Sequence, residues 1–140
     1  AAINFYLAEK YKSPLLPPDM ASKGRALQWA FFISNDVEGD MILVFQHRFR
    51  FPPEKRNPKL ADEAEPKLLA KMQVLEDHLN KSAYFQGDKW GMADFIIASV
   101  MYALLEMSYD KLSNFPKLKA FLTASTERPA AKEAIKLRNS

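Results

Sequence analysis

The run from Phe95 to Leu105, FIIASVMYALL, contains no charged residue, and its nearest charges are Asp94 before it and Glu106 after it. A helix that is apolar all round is covered by neighbours on every side. This one segment therefore calls for a core helix with a bundle built around it. The residues before it spell out how it begins. In FQGDKWGMADF, Phe85 to Phe95, Gly91 stands at the N-cap and Asp94 falls at N3, where a carboxylate reaches back to the N-cap amide. Trp90 and Phe95 occupy the two positions of a hydrophobic staple. Gly91, Asp94, Trp90 and Phe95 are thus expected to be capping and staple residues, and the spacing accounts for Asp94 without a catalytic role.

The rest of the composition fits such a bundle. A chain of 140 residues with 48% hydrophobic and 26% charged residues is ordinary for one globular domain with a real core. The apolar run is about half of the roughly 20 residues that cross a bilayer, and the amino terminus has no signal-peptide pattern. No membrane association is expected. The chain has no cysteine, which suits a reducing compartment and makes a cytoplasmic location the expectation. A net charge of +3 raises the question of an acidic partner. Its basic residues are scattered except in HRFRFPPEKR, His47 to Arg56, where Phe45 and Phe49 lie four apart in the manner of core packing. So small a patch does not predict nucleic-acid binding.

Six helical segments and no strand are expected. The first covers Ala1 to Tyr11 and ends at the proline-rich SPLLPP, Ser13 to Pro18. A long helix follows from Asp19 or Met20 to Phe51, closed by Pro52 and Pro53, and then one from Lys59 to Leu79 with a possible kink at Pro66. The core helix spans Met92 to Met107, a shorter one Pro116 to Ser125, and the last opens at Pro129. On the long helix, Leu27, Phe31, Met41, Ile42, Phe45 and Phe49 are expected to face the core. Trp29, Phe32, Ile33, Asp36, Asp40, Leu43 and Val44 form the opposite face. Asp36 and Asp40 sit one turn apart, a pairing that costs an isolated helix about 0.2 to 0.5 kcal/mol unless a cation answers it. A basic group is expected beside them.

Other chemistries find little support. His47 and His78 are the only histidines, they fall on different helices, and neither has metal-ligand spacing, so no metal site is expected. None of the four glycines stands at the spacing of a phosphate loop or dinucleotide fingerprint, and there is no nucleophile elbow.

In order along the chain, AINFYLAEKY, PLLPPD, ALQWAFF, YFQGDKWGMADF and NFPKLKAFLTASTERPA resemble the all-helical C-terminal domain of the cytosolic glutathione S-transferases. The resemblance covers nearly the whole chain and implies an all-α bundle. It departs from the family pattern at Gly91, where Ser or Thr is usual, so one side-chain hydrogen bond at the helix start is expected to be missing. It also implies that residues 1–11 are the last helix of a thioredoxin-like domain, 12–18 a linker and 19–140 the helical domain. The first helix would then carry Ile3, Tyr6 and Leu7 toward an absent sheet.

What the family does follows as expectation. The parent protein adds the thiolate of glutathione to an electrophilic apolar compound, glutathione being a co-substrate with no cofactor required. Thiol activation belongs to the thioredoxin-like domain, so no catalytic residue is expected in this chain and the chain alone should be inactive. By resemblance, Trp29, Phe32 and Ile33 line the electrophile pocket. Asp40, and second to it Asp36, would reach across a homodimer interface to the ammonium of the partner's glutathione. The plainer alternatives are ordinary interdomain or dimer packing for the aromatics and, for the aspartates, a solvated pair or a bridge to Arg or Lys. The competing function is a non-catalytic module for protein assembly, since fold alone does not fix activity.

Overall fold

The computed structural model describes residues 1–138, and it is all-helical over them. Helix α1 (Ala2–Lys10) leads through the proline-rich segment to α2 (Met20–Phe31), whose N-cap Asp19 accepts the Ser22 amide at 2.9 Å. A π-helical stretch, Phe32–Val37, joins α2 to α3 (Glu38–Phe45), and a second, Gln46–Arg50, extends α3 until Phe51 turns extended before Pro52. The long helix anticipated from the sequence is therefore one rod with two wide turns. Helix α4 (Pro58–Leu79) runs unbroken through Pro66. The core helix is α5 (Met92–Glu106), followed by α6 (Pro116–Thr126) and α7 (Pro129–Arg138), both opening on proline at the first turn, where its missing amide is not needed.

The rod buries a different face from the expected one. Ala26, Ala30, Ile33, Val37, Met41, Val44 and Phe45 are buried, at spacings of three and four, whereas Phe31 is 57% exposed, Ile42 40% and Phe49 42%. Of the face expected inside, only Met41 and Phe45 are buried. The stripe runs through small residues lying between the two faces that large side chains suggest. Ala26 and Ala30, without exposed surface, let α2 lie close against α5.

Around α5 the core forms as its sequence requires. Ile97, Met101 and Leu104 have no exposed surface, and they join Leu68, Met72 and Leu75 from α4 and Leu118 and Leu122 from α6 in one cluster. Each such residue contributes about 1.5 to 3 kcal/mol of apolar burial. A smaller cluster of Ala8, Ala30, Met92 and Ile96, with Phe5, Leu15 and Leu16 packed on it, seats α1 and the proline-rich segment on the bundle. The start of α6 is capped from another helix. The buried Glu76 of α4 accepts the Lys117 amide at 3.0 Å and the Leu118 amide at 2.7 Å, satisfying two donors that a helix start leaves unpaired.

Candidate functional site

At the start of α5, Asp94 has no exposed surface, and its carboxylate accepts the Gly91 amide at 3.0 Å and the Phe85 amide at 2.8 Å. The first bond is the N3-to-N-cap contact that the spacing predicts. The second ties the incoming loop to the same carboxylate. Burial raises the Asp94 pKa, with the amide donors of Phe85 and Gly91 opposing it. Both carboxylate oxygens are already engaged, which is the geometry of a structural anchor. Trp90 and Phe95 lie edge to face at 6.4 Å, the Arg128 guanidinium sits 3.9 Å from the centre of the Trp90 ring, and the indole donates to the Ser125 hydroxyl at 3.3 Å. The staple thus also ties α5 to the turn between α6 and α7.

The hydrogen bond expected to be missing at this site is missing. Gly91 offers no side chain to the helix, but the α5 amides do not go unpaired. Oε1 of Gln86 accepts the Met92 amide at 2.8 Å and the Ala93 amide at 3.3 Å. The missing hydroxyl is replaced from five residues upstream. Sequence reasoning passed over Gln86 because capping rules look only at the N-cap itself.

The aromatic residues of the rod divide. Ile33 is fully buried in the main core cluster and has no surface left for a ligand within this chain, which corrects its expected place on a pocket wall. Trp29 is half-buried and meets Phe32 at 5.8 Å, Phe85 at 4.8 Å and His78 at 4.8 Å, all edge to face. His78 stacks on Phe85 at 4.8 Å and bonds the Tyr84 carbonyl through Nε2 at 3.1 Å. Its ring is thus part of this aromatic cluster. Phe32 is half-buried, so it and the outer edge of Trp29 keep part of their surface open.

The two aspartates also part company. Lys71 of α4 donates to Asp40 Oδ2 at 2.6 Å and also to the backbone carbonyl of Asp36. It is the cation that the like-charge pair calls for. The Asp40 carboxylate, with 15% of its side chain exposed, is engaged within its own chain. The Asp36 carboxylate is exposed and has no hydrogen bond or ion pair among the described residues. The better match by spacing is thus the less available by geometry.

A largely apolar cavity of about 390 Å³ lies elsewhere, between α5, α6 and α7. Phe95, Ala98, Tyr102, Ala131, Ala134 and Ile135 line it together with Trp90 and Arg128, and none of Trp29, Phe32 and Ile33 borders it. The only sequence signal for it is a row of alanines on facing helices, which leaves room without naming an occupant. Its polar groups are Ser99, Ser125, Thr126, Tyr102 and two arginines, Arg138 being paired with Glu106. These can orient a ligand but include no base to take a proton from a thiol. Among the described residues no three His, Cys, Asp or Glu side chains gather to hold a metal, and no helix is long and apolar enough to cross a membrane.

The basic segment is directed at its own chain. Arg48 bonds Asp62 at 2.6 Å and approaches Glu65 at 3.4 Å, Arg50 approaches Glu106 at 3.9 Å, and Arg56 donates to the carbonyls of Phe51 and Phe49. Glu65 is buried, and it also accepts from Lys111 and, at 2.8 Å, from the Tyr109 hydroxyl. Burial pushes the Glu65 carboxyl up, but the bonds from Lys111 and Tyr109 and the charges of Lys111 and Arg48 outweigh it and hold the pKa below its usual value. The Tyr109 hydroxyl moves upward, through burial first and its bond to Glu65 second.

Comparison with known proteins accounts for this arrangement. Residues 39–129 match the family described as glutathione S-transferase, C-terminal domain. The chain is 27% identical over 135 residues to the glutathione S-transferase GstB of Escherichia coli, covering 96% of this chain and 64% of that protein. It is 31% identical over 140 residues to the rat (Rattus norvegicus) glutathione S-transferase alpha-3, covering 96% of this chain and 58% of that protein. Among solved structures, the glutathione transferase Ure2p5 of Phanerochaete chrysosporium superposes with a TM-score of 0.85 at 27% identity, over 99% of this chain and 64% of that one. The same protein has been crystallised with 1-(S-glutathionyl)-2,4-dinitrobenzene, and in that form the TM-score is 0.84 at 27% identity, over 99% of this chain and 66% of that one. This chain belongs to the glutathione S-transferase family, as its all-helical C-terminal domain.

Proposed function

We propose that this chain is the helical part of a glutathione transferase, whose reaction forms a bond between the sulfur of glutathione and an electrophilic carbon of an apolar compound. The thiol loses its proton to a base, and the sulfur electron pair forms the new bond to carbon. That carbon gives up a pair in turn, to a departing group such as chloride in a substitution, or from its own π bond to the neighbouring atom, which then takes up a proton, in an addition. The observation that carries this reading is the superposition of 99% of the chain on a transferase crystallised with a glutathionyl conjugate. The helical part supplies apolar surface and a dimer face. A thioredoxin-like domain supplies the thiol chemistry.

Within this reading, residues 1–11 close the thioredoxin-like domain, 12–18 are the linker and 19–140 the helical domain. The outer face of α1, with Ile3, Tyr6, Leu7 and Tyr11 exposed, is the surface that such a domain would cover. Phe31, Ile42 and Phe49, exposed along the rod, suit a second copy of the chain. Phe32 and the free edge of Trp29 remain the pocket wall. Asp36, with its carboxylate free, takes precedence over Asp40 as the group that meets the ammonium of glutathione across the dimer. A cytoplasmic setting suits a chain without cysteine.

The test is a chimera joining the chain to the thioredoxin-like domain of a family member, assayed with glutathione and 1-chloro-2,4-dinitrobenzene. A folded dimeric chimera that forms the conjugate supports the reading. A folded dimeric chimera that binds glutathione on its thioredoxin-like half, yet forms no conjugate, contradicts the role given to this half.

A further inference from the structure

Gln86 does more than fill in for a missing hydroxyl. Its amide has two ends with opposite capacities, one accepting and one donating. Oε1 takes the first two amides of α5, and Nε2 donates to the backbone carbonyl of Leu15 at 3.2 Å, across 71 positions of sequence. That carbonyl also accepts the Met92 amide at 3.0 Å. The proline-rich segment, the loop before α5 and the first turn of α5 therefore meet at one side chain. Leu15 and Leu16 pack there on Met92 and Ile96, the cluster that seats α1.

Gly91 makes the arrangement possible. A Cβ built at residue 91 would lie 2.4 Å from Nε2, 2.5 Å from Cδ and 2.7 Å from Oε1 of Gln86. These separations are too short for any real contact. The Gly91 backbone is extended, with φ at −143°, so no left-handed conformation demands glycine there. The room taken by Gln86 does. Any residue with a Cβ, including the Ser or Thr that would cap α5 directly, has to push the Gln86 amide aside.

We propose that Gln86 is a positioning residue with two separable tasks, capping α5 from outside the helix and clasping the segment between α1 and α2, and that Gly91 is there to admit it. A hydroxyl at position 91 performs the first task and removes the Gln86 part of the second, leaving the Leu15 carbonyl to the Met92 amide alone. The exchange of hydroxyl for glutamine thus leaves the start of α5 intact while adding a link to the segment between α1 and α2. This goes beyond the transferase reading and does not depend on it.

Site-resolved amide hydrogen exchange on the full chain separates the tasks, with the Ala93 amide reporting the cap and the Leu16 amide the clasp. In Gln86→Ala, both amides lose protection by about fivefold, the equivalent of one lost cap or hydrogen bond. In Gly91→Ser, Ala93 stays protected by the new hydroxyl while Leu16 loses its protection. Gln86→Glu, which keeps an acceptor for α5 but loses the donor to Leu15, behaves like Gly91→Ser. Adding Gly91→Ser to Gln86→Ala restores Ala93 and not Leu16. Unchanged exchange at Ala93 in Gln86→Ala would overturn the cap. Retained protection of Leu16 in Gly91→Ser or Gln86→Glu would overturn the clasp, and these two variants keep a cap if Gln86→Ala itself fails to fold.

Discussion

The start of α5 and the outer face of the rod each present aspartates, and they are opposites. Asp94 has no exposed surface and both of its oxygens are occupied by backbone amides, so nothing is left over for a ligand. Asp36 lies on the surface with its carboxylate unengaged among the described residues, on the rod that also exposes Phe31 and Ile42. One region is closed within the chain and the other is open to solvent. Polar groups that fix a fold are saturated internally, whereas surfaces meant for another molecule keep unpaired polar groups and uncovered apolar ones.

The largest effect is expected from the closed region. Asp94→Ala strands the Gly91 and Phe85 amides and should lower the unfolding free energy by about 3 kcal/mol, measured by urea denaturation. A loss below about 1 kcal/mol would break the contrast, since Asp94 would then not be an anchor. Glu76→Ala removes the partner of two α6 amides and should cost about 2 kcal/mol in the same measurement. Retained exchange protection at Lys117 and Leu118 in that variant would show that another group caps α6.

The pH dependence sharpens the contrast within the closed region. The Glu65 pKa is depressed when folded, so its contribution is present above its unfolded value near 4.5 and lost as pH falls through the folded one. Asp94 runs the other way. Its pKa is raised, so its contribution is full below its unfolded value near 3.8 and declines as pH rises through the folded one. Glu65→Gln should therefore flatten the acid loss of stability and Asp94→Asn should steepen it, in unfolding free energies followed from pH 7 to 3. Matching changes in the two variants would contradict the assignment. The smallest effects belong to the open region. Lys71→Met should cost less than about 1 kcal/mol, because the Lys71–Asp40 pair is partly exposed, and Asp36→Asn should stay within about 0.5 kcal/mol of the parent. A loss above about 2 kcal/mol for Asp36→Asn would make it another structural aspartate.

The same contrast governs what could be read in advance. The α5 cap was legible because local spacing determines it: Asp94 three residues after Gly91 can do little else, and Trp90 and Phe95 flank it at fixed positions. The all-α bundle followed from the apolar run and the prolines that punctuate the helices. The inner face of the rod was not legible, because Ala26 and Ala30 carry little hydrophobic weight, although their small size is what brings α2 and α5 together. Gln86, Lys71 and Glu76 were missed for a shared reason. Each satisfies a group on another element, Leu15 from Gln86, Asp40 from Lys71 and Leu118 from Glu76, and such pairings are set by the tertiary arrangement.

If this chain is scaffold and surface without thiol chemistry of its own, its rate of conjugation decides the matter most directly. Incubated alone with glutathione and 1-chloro-2,4-dinitrobenzene near neutral pH, the 140-residue chain should form the conjugate no faster than the uncatalysed mixture. Glutathione-dependent turnover that saturates and scales with the amount of chain would contradict the account, because a thiol base would then have to lie within these helices.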